Sequence, residues 1–176
     1  MKKVVIILAT AVAAVIVAAM IYVVIGGLII GGLIPPAPSY NKLDRYLKAN
    51  IGELSYVIDS LFGLDYDYIA LRREDKNIMK VEKNEVYETI PIPDELLEHI
   101  EALYKSGVRV ISCGRDSMGF TMWSSLSESR GIRYSRIGKK PDGNQLIEVK
   151  QMSEENWYYY VNNFEKAKAR NPHLFK

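Results

Sequence analysis

His99 and His173 are the only histidines of the chain and Cys113 its only cysteine, so chemistry that needs several imidazoles or thiols has nothing to draw on. Glu95 and His99 stand four apart, a spacing that places two metal ligands on one helix face. Glu98 and Glu101 flank that histidine on the polar side, and a solvated imidazole among carboxylates is the simpler reading. No metal site and no cofactor are expected. Cys113 ends the run Val108-Arg109-Val110-Ile111-Ser112 and reads as a buried strand residue rather than a reactive thiol. A Cys113 and His99 pair would have to be assembled by the fold. Ser112, Ser117, Ser124, Ser125, Ser127, Ser129 and Ser135 offer hydroxyls without a G-x-S-x-G or S-x-x-K context, and there is no H-E-x-x-H. The segment Gly114-Arg115-Asp116-Ser117-Met118-Gly119 reads as a turn and not as a phosphate loop. Asp65 and Asp67 share one face of a strand. Carboxylates that act on a glycosidic bond flank a cleft, however, and solvation at a strand entry explains both residues. No catalytic residue is expected.

Binding residues are easier to nominate. Between Arg115 and Lys140 the charges are Arg115, Arg130, Arg133, Arg136, Lys139 and Lys140 against Asp116 and Glu128. With the serines beside it, this excess makes an anion-binding edge built on Arg130, Arg133, Arg136, Lys139 and Lys140. Alternation puts Arg133 and Arg136 on opposite sides of their strand, so they form no single stripe, and ordinary solvated charge is the simpler reading. In Trp157-Tyr158-Tyr159-Tyr160 the first and third rings share one face and the second and fourth the other. If the second face is open, Tyr158 and Tyr160 form a stacking or partner-binding surface, and if it is covered both belong to the core. Nucleic acid is a poor partner. Of 23 Lys and Arg residues, Lys2 and Lys3 stand apart at the start, and the remainder balances 21 Asp and Glu.

These residues must be positioned by a domain spanning 40–176. Leu43, Leu47, Ile51, Leu54, Ile58 and Leu61 recur at helical spacing, with Asn50 and Gly52 predicting two helices or one kinked near residue 50. Short β-rich runs follow at 66–71, 78–81 and 85–90, then a helix opening at Pro93-Asp94-Glu95 and closing at Gly107. Further strands are predicted at 108–113, 119–123, 131–137, 145–150 and 157–161. Pro141-Asp142-Gly143-Asn144 is read as the turn of a hairpin joining two of them. Asn162 with Glu165 is read as the cap of a short closing helix. Strands in runs, with three or four helices set between them, predict an α+β domain on a mainly antiparallel sheet.

Ahead of that domain, no Asp, Glu, Lys or Arg lies between Lys3 and Lys42. Val4 to Ile25 would span about 33 Å as a helix, against a bilayer core of about 30 Å. Residues 1–34 are therefore expected to be a transmembrane signal anchor, a single pass whose partner is the lipid bilayer, followed by a proline-rich spacer at 35–39. Small residues at Ala37 and Ser39 would suit cleavage, which the prolines and the long apolar run oppose. Gly27 and Gly31 form a G-x-x-x-G pair suited to helix association, although small residues are common in membrane helices. Lys2 and Lys3 against a neutral far flank place the N-terminus in the cytoplasm and the domain outside it. The expectation is a single-pass membrane protein whose domain is a binding or accessory module for a protein partner or an anionic envelope component. A membrane-anchored envelope enzyme and a cytoplasmic-facing subunit of a membrane complex are the alternatives.

Overall fold

A computed structural model describes residues 35–143 and 145–170. The expected anchor, including Val4 to Ile25, Gly27 and Gly31, lies outside them, as does His173. No helix among the described residues is long and apolar enough to cross a membrane. Ala37–Lys176 forms one compact unit.

Helix α1 (Tyr40–Phe62) begins where the Ser39 hydroxyl accepts the Lys42 amide at 3.4 Å. Its apolar spacing buries Leu43, Leu47, Leu54, Val57, Ile58 and Leu61 along one side. Asn50 leaves helical geometry (φ −122°, ψ 15°), and its side-chain amide donates to the Tyr46 carbonyl at 2.9 Å. One helix with a kink results, and the kink carries its own polar compensation. Strand β1 (Tyr68–Arg72) leads through a single 3₁₀ turn, Arg73–Asp75, into β2 (Ile78–Lys83) and β3 (Val86–Pro91). Asn84 and Glu85 both have positive φ, 52° and 65°, the geometry of a tight two-residue hairpin whose twist matches the strands. Helix α2 (Asp94–Ser106) starts after Pro93 and stops at Gly107, whose φ of 117° only glycine adopts readily.

Strands β4 (Val110–Gly114), β5 (Ser117–Ser124), β6 (Glu128–Ser135), β7 (Leu146–Gln151) and β8 (Trp157–Asn163) complete one antiparallel sheet in the order β3-β2-β1-β4-β5-β6-β8-β7. A closing helix, α3 (Phe164–Arg170), follows β8. The fold is α+β, with an eight-stranded antiparallel sheet and three helices among the described residues. Helices α1 and α2 pack on one face. There Leu47, Leu54, Ile100 and Leu103 meet Ile69, Leu71, Ile111, Phe120, Ile132 and Trp157 in a continuous core.

Two local expectations are corrected. The 136–145 segment joins no hairpin, because β6 and β7 flank β8 from opposite sides and the segment crosses over it. Trp157 to Val161 are all buried, so this strand takes the interior position and leaves β7, with Glu148 and Lys150, at the edge. The closing helix is capped by Asn163, whose side-chain oxygen accepts the Lys166 amide at 2.8 Å, one residue later than the Asn162 spacing predicts.

Candidate functional site

The face of the sheet opposite α1 and α2 has an unusual floor. Gly131 on β6 pairs with Tyr160 on β8 and Thr121 on β5. With no side chain between them, the Tyr160 ring lies across Gly131, and its hydroxyl meets Thr121 Oγ1 at 2.7 Å. Gly119 pairs with Arg133 on one side and Ser112 on the other, and a Cβ at Gly119 would stand 3.4 Å from Arg133 Nε and 3.0 Å from Ser112 Oγ. The Arg133 guanidinium carbon therefore comes to 5.2 Å from the centre of the Tyr160 ring, within range of a cation–π attraction. Tyr158 and Tyr160 are buried, at 6% and 2% exposure, with the Tyr158 hydroxyl donating to the Gly138 carbonyl at 3.4 Å. Neither ring is an open stacking surface. Burial holds the Tyr160 phenol neutral by raising its pKa, partly opposed by Thr121 and Arg133.

Beside this floor a cavity of about 280 Å³ is lined by Arg133, Lys139 and Lys140, with Ser117, Ser135, Asp116 and Asp142 around them. The β6–β8 end of the sheet supplies Arg133 and Ser135, the start of β5 supplies Ser117, and the crossover supplies both lysines. Arg133 Nε is buried and has no hydrogen-bond partner among the described residues. Arg133 as a whole is half-buried, so its guanidinium can offer an acceptor in this cavity a charge-assisted hydrogen bond, while the unsatisfied buried Nε is a cost to the fold.

The basic residues nominated from the sequence are thus divided among three places. Arg133, Lys139 and Lys140 come together at the cavity. Arg130 lies elsewhere on β6, its Nε donating to Glu128 Oε1 at 2.6 Å and its guanidinium 6.0 Å from the Trp123 ring. Arg136 stacks its guanidinium 5.2 Å from the Phe62 ring at the end of α1. Arg115 donates twice to Asp67 Oδ1, at 3.1 and 2.7 Å. Asp67 also accepts the Asn84 amide at 2.9 Å. That amide and then the guanidinium hold its carboxyl below the usual range. Asp65 pairs with Lys83, so the two aspartates are spent on separate cations rather than converging on a substrate. What the residue types did not reveal is that Ser117, Ser135, Asp116 and Asp142 share the wall with Arg133. Only the strand order brings the β4–β5 turn and the crossover to one end of the sheet.

The other candidates have structural partners. His99 Nδ1 lies 2.6 Å from Glu53 Oε2, and its ring stacks on Tyr56 at 3.7 Å, so it joins α2 to α1 and does not work with Glu95. Among the described residues, no group of three or more His, Cys, Asp or Glu side chains could hold a metal ion. Cys113 is 4% exposed, its sulfur directed to the Gly114 carbonyl at 3.6 Å. Burial pushes this thiol up to about 11 from 9.0, opposed by Arg136. Because the folded value is raised, the preference of the folded state for the neutral thiol is intact below about pH 9 and is lost as pH rises through about 11. Near neutral pH a maleimide should therefore modify Cys113 only once the domain is unfolded, and the urea midpoint should fall across that alkaline window. Modification in native buffer at the rate of a free cysteine would contradict the assignment.

Compared with protein-family models, with curated proteins and with solved structures, the chain matches none.

Proposed function

We propose that the chain is a single-pass membrane protein, anchored by Val4 to Ile25, whose α+β domain lies outside the cytoplasm and binds an anionic group in the Arg133 cavity. The ligand class is a phosphate or carboxylate carried by a lipid headgroup or an envelope polymer. The observation that supports this reading is the convergence on one cavity of Arg133, whose buried Nε has no partner among the described residues, with Lys139 and Lys140. Three cations and two hydroxyls suit oxyanion capture, and the two acids, Asp116 and Asp142, limit the net charge and so disfavour indiscriminate binding of polyanions.

Inorganic phosphate titrated into the full chain in neutral detergent micelles tests the site, with backbone amide shifts as the readout. Saturable shifts at Ser117, Ser135 and Lys139 are expected, and they should be lost in the Lys139→Ala/Lys140→Ala variant. Shifts spread evenly over all basic residues, without saturation, would remove the reading. Topology is tested separately with Leu126→Cys, since Leu126 is fully exposed and Cys113 is shielded. An impermeant maleimide is expected to label it in intact cells. Labelling only after lysis would reverse the orientation and make the partners cytoplasmic.

A further inference from the structure

A second cavity, of about 410 Å³, lies where the 3₁₀ turn after β1 meets the C-terminal half of α2. Tyr104 lines it, is 7% exposed, and carries a buried hydroxyl with no partner among the described residues. The rest of the lining is mixed in charge, with Arg73, Lys76 and Lys105 facing Glu101. Lys105 is paired with Glu101 at 3.3 Å, whereas Arg73 and Lys76 form no ion pair among the described residues. Of the acids adjoining the cavity, Glu74 lies 3.9 Å from Arg72 and Asp75 3.3 Å from Lys80, and both, after burial, still raise the pKa of the Tyr104 hydroxyl, a charge that Arg73 and Lys76 have to outweigh for an anion to bind. Leu97 adds an apolar wall beside the Tyr104 ring.

A buried phenol hydroxyl without an acceptor is a standing cost, and a site offering that donor, the cations of Arg73 and Lys76 and an apolar wall fits a definite ligand. We propose that this cavity binds a small organic carboxylate with a flat apolar body. One carboxylate oxygen accepts the Tyr104 hydroxyl, the charge is met by Arg73 and Lys76, and the body packs on Leu97. Phosphate is the poorer occupant, because its additional oxygens would find too few donors beside an apolar wall. The site shares no residue with the Arg133 cavity, so the two readings stand or fall independently.

Benzoate is the probe, with benzamide as its neutral isostere and acetate as the same charge without a body. In the full chain in neutral micelles, benzoate is expected to produce saturable amide shifts at Lys76, Asn77 and Lys105. Benzamide and acetate should each bind at least about tenfold more weakly. Tyr104→Phe and Arg73→Gln should each weaken benzoate by about tenfold, the size of one lost hydrogen bond to a charged group. Both should leave the phosphate shifts at Ser117 and Ser135 unchanged. Thermal unfolding of Tyr104→Phe without ligand separates a binding role from a structural one. Removing an unpartnered hydroxyl should leave the midpoint unchanged or raised, and a lowered midpoint would assign the hydroxyl to folding. The proposal is overturned if benzoate gives no saturable shift, which would leave the hydroxyl simply hydrated. It is equally overturned if benzamide binds as well as benzoate, or if Tyr104→Phe binds within about twofold of the wild type.

Discussion

Gly131→Ala is expected to destabilise the domain by more than about 3 kcal/mol, far beyond an ordinary single substitution. A methyl group there would run into the carbonyl oxygen of Phe120 on the neighbouring strand and stand 2.9 Å from the Tyr160 hydroxyl. Neither neighbour can give way cheaply. Phe120 is fully buried in the core between the sheet and the helices, and Tyr160 is held by its bond to Thr121. Accommodating the methyl group means separating β5 from β6 at the centre of the sheet or expelling the Tyr160 ring, and either outcome also dismantles the floor under Arg133. Gly52 is the control, since a Cβ there meets nothing within 4 Å and the residue lies inside α1. Gly52→Ala should stabilise by roughly 0.5 to 1 kcal/mol, the difference in helix propensity. Urea midpoints of the two variants decide the matter. A loss at Gly131 smaller than about 1 kcal/mol would mean that the strands separate easily and that the glycine floor is not a constraint.

Elements whose residues interact over short sequence distances are legible in the order of the residues alone. The apolar spacing of α1, the kink at Asn50, the Pro93 start and Gly107 stop of α2, and all eight strands follow from helix, strand and capping preferences of neighbouring residues. The strand order does not follow, because it depends on which strand is buried on both faces. Pro141-Asp142-Gly143 carries strong turn chemistry, but a turn signal says only that the chain changes direction. Burial of Tyr158 and Tyr160 decides that β8 separates β6 from β7. The same limit governs the site. Opposite orientations of Arg133 and Arg136 are legible from alternation, and the structure stacks one on Tyr160 and the other on Phe62. Alternation leaves open whether the second tyrosine face is covered. Gly131 and Gly119 leave room for Tyr160 and Arg133 on that face and the crossover meets Tyr158 at the Gly138 carbonyl, and the importance of the glycines shows only once the register sets each opposite a large side chain.

Arg133→Met should separate binding from folding at the proposed site. Methionine preserves much of the length and apolar contact of the arginine stem over Gly119 and Tyr160 while removing the charge and the unpartnered Nε donor. Two stability terms then oppose each other. The cation–π contact with Tyr160 contributes roughly 0.5 to 2 kcal/mol, and an unsatisfied buried donor costs roughly 1 to 3 kcal/mol. Their near cancellation predicts a change in unfolding free energy within about 1 kcal/mol in either direction. Phosphate affinity has no such compensation. Hydrogen bonds to charged groups are worth about 1.5 to 3 kcal/mol, so affinity should fall by about ten- to a hundredfold. Arg133→Lys should lie between methionine and wild type, because a lysine restores the charge without the planar fork. Titration of inorganic phosphate and urea unfolding on the same three proteins give both quantities. Unchanged affinity in the methionine variant would leave the cavity without its principal ligand-binding group. A loss of stability of several kcal/mol with affinity intact would make Arg133 a packing residue of the glycine floor, and the lysines of the crossover would then be ordinary solvated charge.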